Sequence, residues 1–181
     1  MRNQNRPFSH RIRQAEPGDF VPITEIYQAA VLQGTGSFEI EPPDVEEMLR
    51  RHDTVVAQNG IWYVAESGDS SGRQISGFAY AAPFHHRAAY RYVLENSVYV
   101  SENFQRRGIG ILLLRRLIDE AHSKSYRHMI AVIGDSDNAG SIGPHRVLGF
   151  EHVGKLSEIG FKHNRWLDVI YMQKRLGRNA R

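Results

Sequence analysis

Two periods of apolar residues run through this chain. Val21, Ile23, Ile26, Tyr27 and Ala30 recur at helical spacing after a Pro17-Gly18-Asp19 break, which predicts a helix from a cap at Asp19 to about Gln33. A second helix is expected from Pro42-Pro43-Asp44 through about His52. Short apolar or alternating runs predict strands at His10–Gln14, Ile61–Ser67 and Gln74–Ala81, the last two joined by a polar turn from Gly68 to Gly72 as a hairpin. Leu94–Val100 is a further strand, followed by a loop and a helix from Ile109 to Ser123. That helix carries Ile109, Leu112, Leu113, Leu117 and Ala121 on one face. His128–Ile133 is an expected buried strand, Ser141–Leu148 a short helix stopped by Gly149, and Phe150–Lys155 and Trp166–Lys174 are closing strands. No internal repeat or linker interrupts the pattern. One strand–loop–helix–strand unit lies between Leu94 and Ile133, so the expected fold class is α/β with a mixed sheet.

The loop inside that unit carries the strongest chemical signal. Gln105-Arg106-Arg107-Gly108-Ile109-Gly110 sits between a strand and a helix start. Amides opening a helix have no intrahelical acceptor, and the helix dipole adds positive character, so such a loop binds anions, above all phosphate. Glycines let backbone approach the ligand closely, and the Gln and Arg side chains add donors. A dinucleotide fingerprint needs a third glycine where Leu113 stands, and the Gly-Lys-Ser/Thr of a nucleotide-triphosphate loop does not occur.

Composition narrows the classes further. A chain of 181 residues, 41% hydrophobic and 24% charged, is of ordinary globular make-up and fits one domain. Residues 1–8 read as a loose tail, 9–176 as the domain and 177–181 as a short C-terminal tail. Met1–Pro7 lacks the apolar stretch of a secretory signal, and no run reaches the ~20 apolar residues of a membrane span. With no cysteine, thiolate metal sites, disulfides and a cysteine nucleophile are excluded, which fits a cytoplasmic protein. A net charge of +3 without a dense basic stripe argues against nucleic acid. Gly68-Asp69-Ser70-Ser71-Gly72 matches a hydrolase elbow in letters only, since a strand rather than a helix is expected after it. The adjacent His85 and His86 do not form a metal-ligand pattern, and no metal is expected.

The glycine loop resembles the Arg/Gln-x-x-Gly-x-Gly signature of the GNAT acetyltransferases, where it holds the pyrophosphate of acetyl-CoA. Further segments resemble the phosphinothricin and methionine-sulfoximine N-acetyltransferase branch. They are Pro83-Phe-His-His-Arg87-Ala-Ala-Tyr90 with Leu94-Glu95, the Ala131–Ser141 strand and turn, His145-Arg-Val-Leu-Gly149-Phe150, and Gly160-Phe-Lys162-His163-Asn-Arg-Trp166-Leu-Asp168. The likeness runs over roughly residues 10 to 175. It implies a single-domain GNAT-like fold, a mixed and largely antiparallel twisted sheet flanked by helices, and a homodimer. It departs where many members have a tyrosine in place of His145, and the loop from Gln33 to Pro43 matches no pattern.

The resemblance also implies roles. Glu95 is the candidate base for the acceptor amine, and His145 the candidate acid near the sulfur. Backbone groups of Val98, Tyr99 and Val100 would take the pantetheine arm and the thioester oxygen. Gln105, Arg106, Arg107, Gly108, Ile109 and Gly110 would take the pyrophosphate, and Asn138 with Ser141 the arm. Phe38, Phe84, Arg87, Tyr90, Asn96, Ser97 and Lys162, with Glu95, would line an acceptor site suited to a carboxylate or phosphinate. Plainer readings stand beside these: a solvated edge glutamate, a structural histidine, a turn-forming Asn138, and aromatics that serve a core or an interface. The implied activity is direct acetyl transfer from acetyl-CoA to a small amino acid or analogue. The alternatives are another amine (a polyamine, an aminoglycoside or a protein N-terminus) or a non-catalytic acyl-CoA-binding module.

Overall fold

The computed structural model describes residues 9–69 and 72–177. The expected N-terminal tail therefore falls wholly outside it, the C-terminal tail falls outside apart from Gly177, and Ser70 and Ser71 of the hairpin turn fall outside as well. A seven-stranded sheet runs in the order β1-β2-β3-β4-β5-β7-β6. Its strands are β1 (Ser9–Gln14), β2 (Ile61–Asp69), β3 (Gly72–Pro83), β4 (Val93–Val100), β5 (His128–Gly134), β6 (Glu151–Lys162) and β7 (Arg165–Arg175). Every neighbouring pair is antiparallel except β4–β5, which is parallel as the strand–helix–strand unit requires.

Two apolar layers follow from strand alternation. Tyr63, Ala65, Ala79, Ala81, Leu94 and Met129 face α3 (Ile109–Ser123) and α4 (Ala139–Val147). Trp62, Val64 and Phe78 face α1 (Phe20–Gln33) and α2 (Val45–Ala57), where Tyr99 and Tyr80 join them. Glu95 and Ser97 share the parity of Tyr99, so they lie on the α1–α2 face of β4.

Several boundaries moved for physical reasons. α2 reaches Ala57 rather than His52 because Val55 is still a core residue, and the chain turns only at Asn59, whose φ is 61°. Asp44 caps it, accepting from the Glu47 amide at 2.8 Å. Asp19 does not cap α1 in that way: its carboxylate takes Arg13 at 2.6 and 2.7 Å and the Glu16 amide at 2.8 Å. β6 runs to Lys162 instead of stopping at Lys155. It is an edge strand exposed along most of its length, with an irregularity between Leu156 and Gly160, so it lacks an alternating signal. Its turn into β7 is two residues, His163 and Asn164, with φ of 50° and 61°, the left-handed pair that a tight hairpin needs.

The loop between α1 and α2, which the sequence left unplaced, is tied on three sides. Tyr27 donates to Glu39 at 2.7 Å, and Arg51 grips the same carboxylate at 2.8 and 3.3 Å. The Lys162 ammonium donates to the Ser37 carbonyl at 2.6 Å, and the His163 ring meets the Gly34 carbonyl at 3.2 Å. The Phe38 ring lies so close to Gly134 and Gly160 that a Cβ at either glycine would overlap it. Gly134→Ala is expected to lower stability by about 1–3 kcal/mol, since the methyl would meet both Phe38 and the Thr35 carbonyl. Urea unfolding checks this, and an unchanged midpoint would contradict the close packing.

Candidate active site

β4 and β5 pair over only four residues, from Val93↔His128 to Asn96↔Ala131. Beyond that point β4 continues to Val100 beside β3, and β5 continues to Gly134 beside β7. The two strands part. The Ser101 amide donates to the Ser76 carbonyl of β3, so alternation turns the Tyr99 backbone to β3 and the Val98 and Val100 backbones toward the gap. Of the three backbones expected to bind the arm, Val98 and Val100 are presented; the Tyr99 ring packs instead on Tyr27 and Phe78.

α3 begins at the open end of that gap. Gly108 has φ of 81°, a left-handed conformation that glycine takes without strain. Its carbonyl accepts the Leu112 amide, so the Ile109, Gly110 and Ile111 amides precede the first intrahelical bond and have no acceptor within the helix. A Cβ at Gly110 would project toward Val100 and Val98, into the space between helix start and strand edge. Gln105 and Arg106 border the same space, with the Gln105 amide 3.4 Å from the Val100 carbonyl. Arg107 lies over the Phe104 ring at 5.3 Å and does not border the cleft.

The resulting cleft holds about 1650 Å³, and Glu95, Asn96, Ser97, Asn138, Ser141 and His145 all border it. Asn138 caps α4, accepting from the Ser141 amide at 3.1 Å while its own amide reaches the Gly134 carbonyl at 3.3 Å. At the parting point Asn96 donates to the Ile130 carbonyl at 2.9 Å, which leaves its Oδ1 facing His145 Nε2, also at 2.9 Å. His145 Nδ1 faces the Ser141 carbonyl at 2.8 Å. Both ring nitrogens of this buried histidine thus face oxygens. Burial holds its pKa below the ordinary value, with the Ser141 carbonyl pulling weakly upward. Donation of a proton from Nε2 into the cleft requires the Asn96 contact to open.

Glu95 is mostly buried and makes no hydrogen bond or ion pair among the described residues. Burial alone pushes its carboxyl pKa up. Such a carboxylate is a better proton acceptor than an exposed one.

Other expected acceptor residues lie elsewhere. Lys162 is buried, donates to the Ser37 carbonyl and does not border the cleft. Phe38 is wedged on Gly134 and Gly160. Phe84, Arg87 and Tyr90 stand on the connection between β3 and β4, where Tyr90 packs on Phe84 and His85 and Arg87 is exposed. What the sequence missed is the group around Glu95 on the α1–α2 face. Tyr80 stands opposite Ser97 in the β3–β4 register, one pair along from Ala82 and Glu95 on the same face, and burial pushes its pKa up. Tyr27 read as an ordinary helix-face residue, and only the tertiary approach of α1, α2 and β3 reveals the cluster. Among the described residues no trio of His, Asp or Glu side chains could hold a metal, and no helix is long and apolar enough to cross a membrane.

Residues 23–150 match the Acetyltransferase (GNAT) family. A phosphinothricin N-acetyltransferase of Alcaligenes faecalis is 39% identical over 165 residues, spanning 91% of this chain and 82% of its own length. An L-methionine sulfoximine/L-methionine sulfone acetyltransferase of Salmonella typhimurium is 35% identical over 93% of this chain and 96% of its own. The crystal structure of a GNAT phosphinothricin acetyltransferase from Sinorhizobium meliloti in complex with AcCoA superposes with a TM-score of 0.87. It is 40% identical, over 93% of this chain and 89% of that one.

The raised Glu95 pKa has a stability consequence. A group whose folded pKa exceeds its unfolded value contributes stability below the unfolded pKa and loses it as pH rises through the folded one. Glu95→Gln is therefore expected to raise the melting temperature at about pH 8, with the gain fading toward about pH 4. Calorimetry across that range checks it; a melting temperature lowered at pH 8 would contradict it.

Proposed function

The chain belongs to the GNAT acetyltransferase family, and from that premise we propose how its residues carry the reaction. It is an acetyl-CoA-dependent N-acetyltransferase acting on the α-amino group of a small amino acid or analogue of the phosphinothricin or methionine-sulfone type. The observation that supports this reading most is one cleft bordered by the free α3 amides, the Val98 and Val100 edge and the Glu95 carboxylate.

Acetyl-CoA supplies the activated acetyl group. The Ile109, Gly110 and Ile111 amides, with Gln105 and Arg106, would hold its pyrophosphate at the helix start. The parted edge at Val98 and Val100 would take the pantetheine arm and offer a fixed dipole to the thioester oxygen. Glu95, directly or through a water, would accept the proton that an ammonium must lose before its nitrogen can attack. His145, tied to Asn96 and Ser141, holds the parting point and, once released from Asn96, could return a proton to the thiolate.

We also propose a homodimer in the cytoplasm. Val153, Leu156, Ile159, Phe161 and Trp166 lie exposed on β6 and β7, an apolar stripe that a second copy would cover. Light scattering is expected to give twice the chain mass; a monomer with full activity would refute it. Acetylating phosphinothricin would give a host resistance to that herbicide.

Thiol release from acetyl-CoA tests the main reading. Phosphinothricin, methionine sulfoximine and methionine sulfone are expected to turn over, and spermidine and an aminoglycoside are not. Turnover of polycations alone would overturn the acceptor. Glu95→Gln is expected to keep acetyl-CoA affinity and lose about 100-fold or more in turnover at neutral pH; unchanged turnover would remove Glu95 from the chemistry.

A further inference from the structure

Asn96 and His145 meet where β4 and β5 part, both buried and both bordering the cleft. We propose that Asn96 is a positioning residue that holds a proton on Nε2 of His145, the ring nitrogen turned toward β4. The catalytic use of that proton rests on the acetyltransferase reading; the place of the proton does not.

The Asn96 amide is oriented first. Its Nδ2 donates to the Ile130 carbonyl at 2.9 Å, and a flipped amide would set Oδ1 against that carbonyl. Oδ1 is therefore the atom that Nε2 meets at 2.9 Å. An amide oxygen only accepts, so this contact is a hydrogen bond only when Nε2 carries the proton. The Ser141 carbonyl, 2.8 Å from Nδ1, makes the same demand on the other side of the ring. A neutral imidazole has one N–H and satisfies one of the two. The helical pattern of α4 gives the Ser141 carbonyl the His145 backbone amide as a donor. Oδ1 has no donor but the ring among the described residues. A buried acceptor left unbonded is costly, so the neutral ring keeps its proton on Nε2.

The second acceptor has its own use. Transfer of the Nε2 proton to the thiolate breaks the N–H bond, forms an S–H bond and leaves the electron pair on Nε2. The ring then ends neutral only when Nδ1 also carries a proton, and the Ser141 carbonyl is placed to bond it. Asn96 and Ser141 together favour the doubly protonated ring against the burial that opposes it. Among the described residues no charged side chain bonds the ring. Glu95, next on β4, lies on the other sheet face, and Arg146, next on α4, is exposed. α3 and β5 contribute Leu114, Leu117, Met129 and Ala131 to the core here, while Arg115, Arg116, Asp119 and His122 are exposed and Glu120 bonds Tyr63.

The experiment reads the His145 ring nitrogens by nitrogen NMR of histidine-labelled protein in wild type, Asn96→Leu and Asn96→Asp, the signals being assigned by their loss in His145→Gln. In wild type the neutral ring is expected to be protonated on Nε2 and not on Nδ1. Asn96→Leu is expected to move the proton to Nδ1. Asn96→Asp, which keeps an acceptor oxygen, is expected to retain it on Nε2 and to raise the pH at which the ring takes its second proton. For methionine sulfone, kcat is expected to fall about tenfold or more in Asn96→Leu, with KM and acetyl-CoA affinity held within about twofold, and to recover in part in Asn96→Asp. A wild-type neutral ring protonated on Nδ1 would overturn the proposal whether or not a variant folds, as would a folded Asn96→Leu that keeps the proton on Nε2. The expected tautomers with kcat unchanged in Asn96→Leu would support the placing of the proton and remove His145 from the chemistry. No turnover of any amine by wild type would overturn the acetyltransferase reading and leave the tautomer to be decided by the spectra alone.

Discussion

The parting of β4 from β5 is the constraint on which the rest of the molecule depends. A parallel pair that ends at Asn96 and Ala131 leaves strand-edge amides and carbonyls with no ladder partner. Buried without partners such groups are costly, so the gap must stay open to solvent or take a ligand that bonds it. The crossover then sets the start of α3 at the open end of the same gap, with its own amides free. One topological event thus leaves a free strand edge and a helix start with free amides beside one cleft. The Asn96–His145 pair fastens the point where the split begins, linking β4, β5 and α4.

The two faces of β4 divide the work. Leu94, Val98 and Val100 pack toward α3, while Glu95, Ser97 and Tyr99 face α1 and α2. Glu95 sits in the second environment without a cation to pair with, so its charge is held at a cost in stability. The loop after α1 does not share that looseness: Glu39, Arg51, Tyr27 and Lys162 lock it. A rigid frame around one buried carboxylate suits the proposed proton acceptor, because its position and its basicity are then both fixed by the fold.

Much of this was legible in the chain. Gly108 and Gly110 before an amphipathic run marked the helix start and its free amides, because the backbone conformation and the unpaired first-turn donors are local properties. Alternation along β2 and β3 gave the hairpin for the same reason. The tie from Lys162 to the Ser37 carbonyl, 125 residues away, was not legible, because no local pattern announces so distant a contact. β6 was cut short because an exposed edge strand has no buried face to impose a period. Arg87 stands exposed on the connection between β3 and β4 and Arg107 lies over the Phe104 ring, placements that neither a motif nor a charge specifies.

The central claim is that the parted edge of β4 and the first turn of α3 hold acetyl-CoA. Amide hydrogen exchange with and without acetyl-CoA tests it at single residues. The amides of Val98, Val100, Ile109 and Gly110 are expected to become protected on binding, while that of Tyr99, bonded to β3, is protected from the start. Tight binding that leaves those four amides exchanging at their free rates would contradict the account.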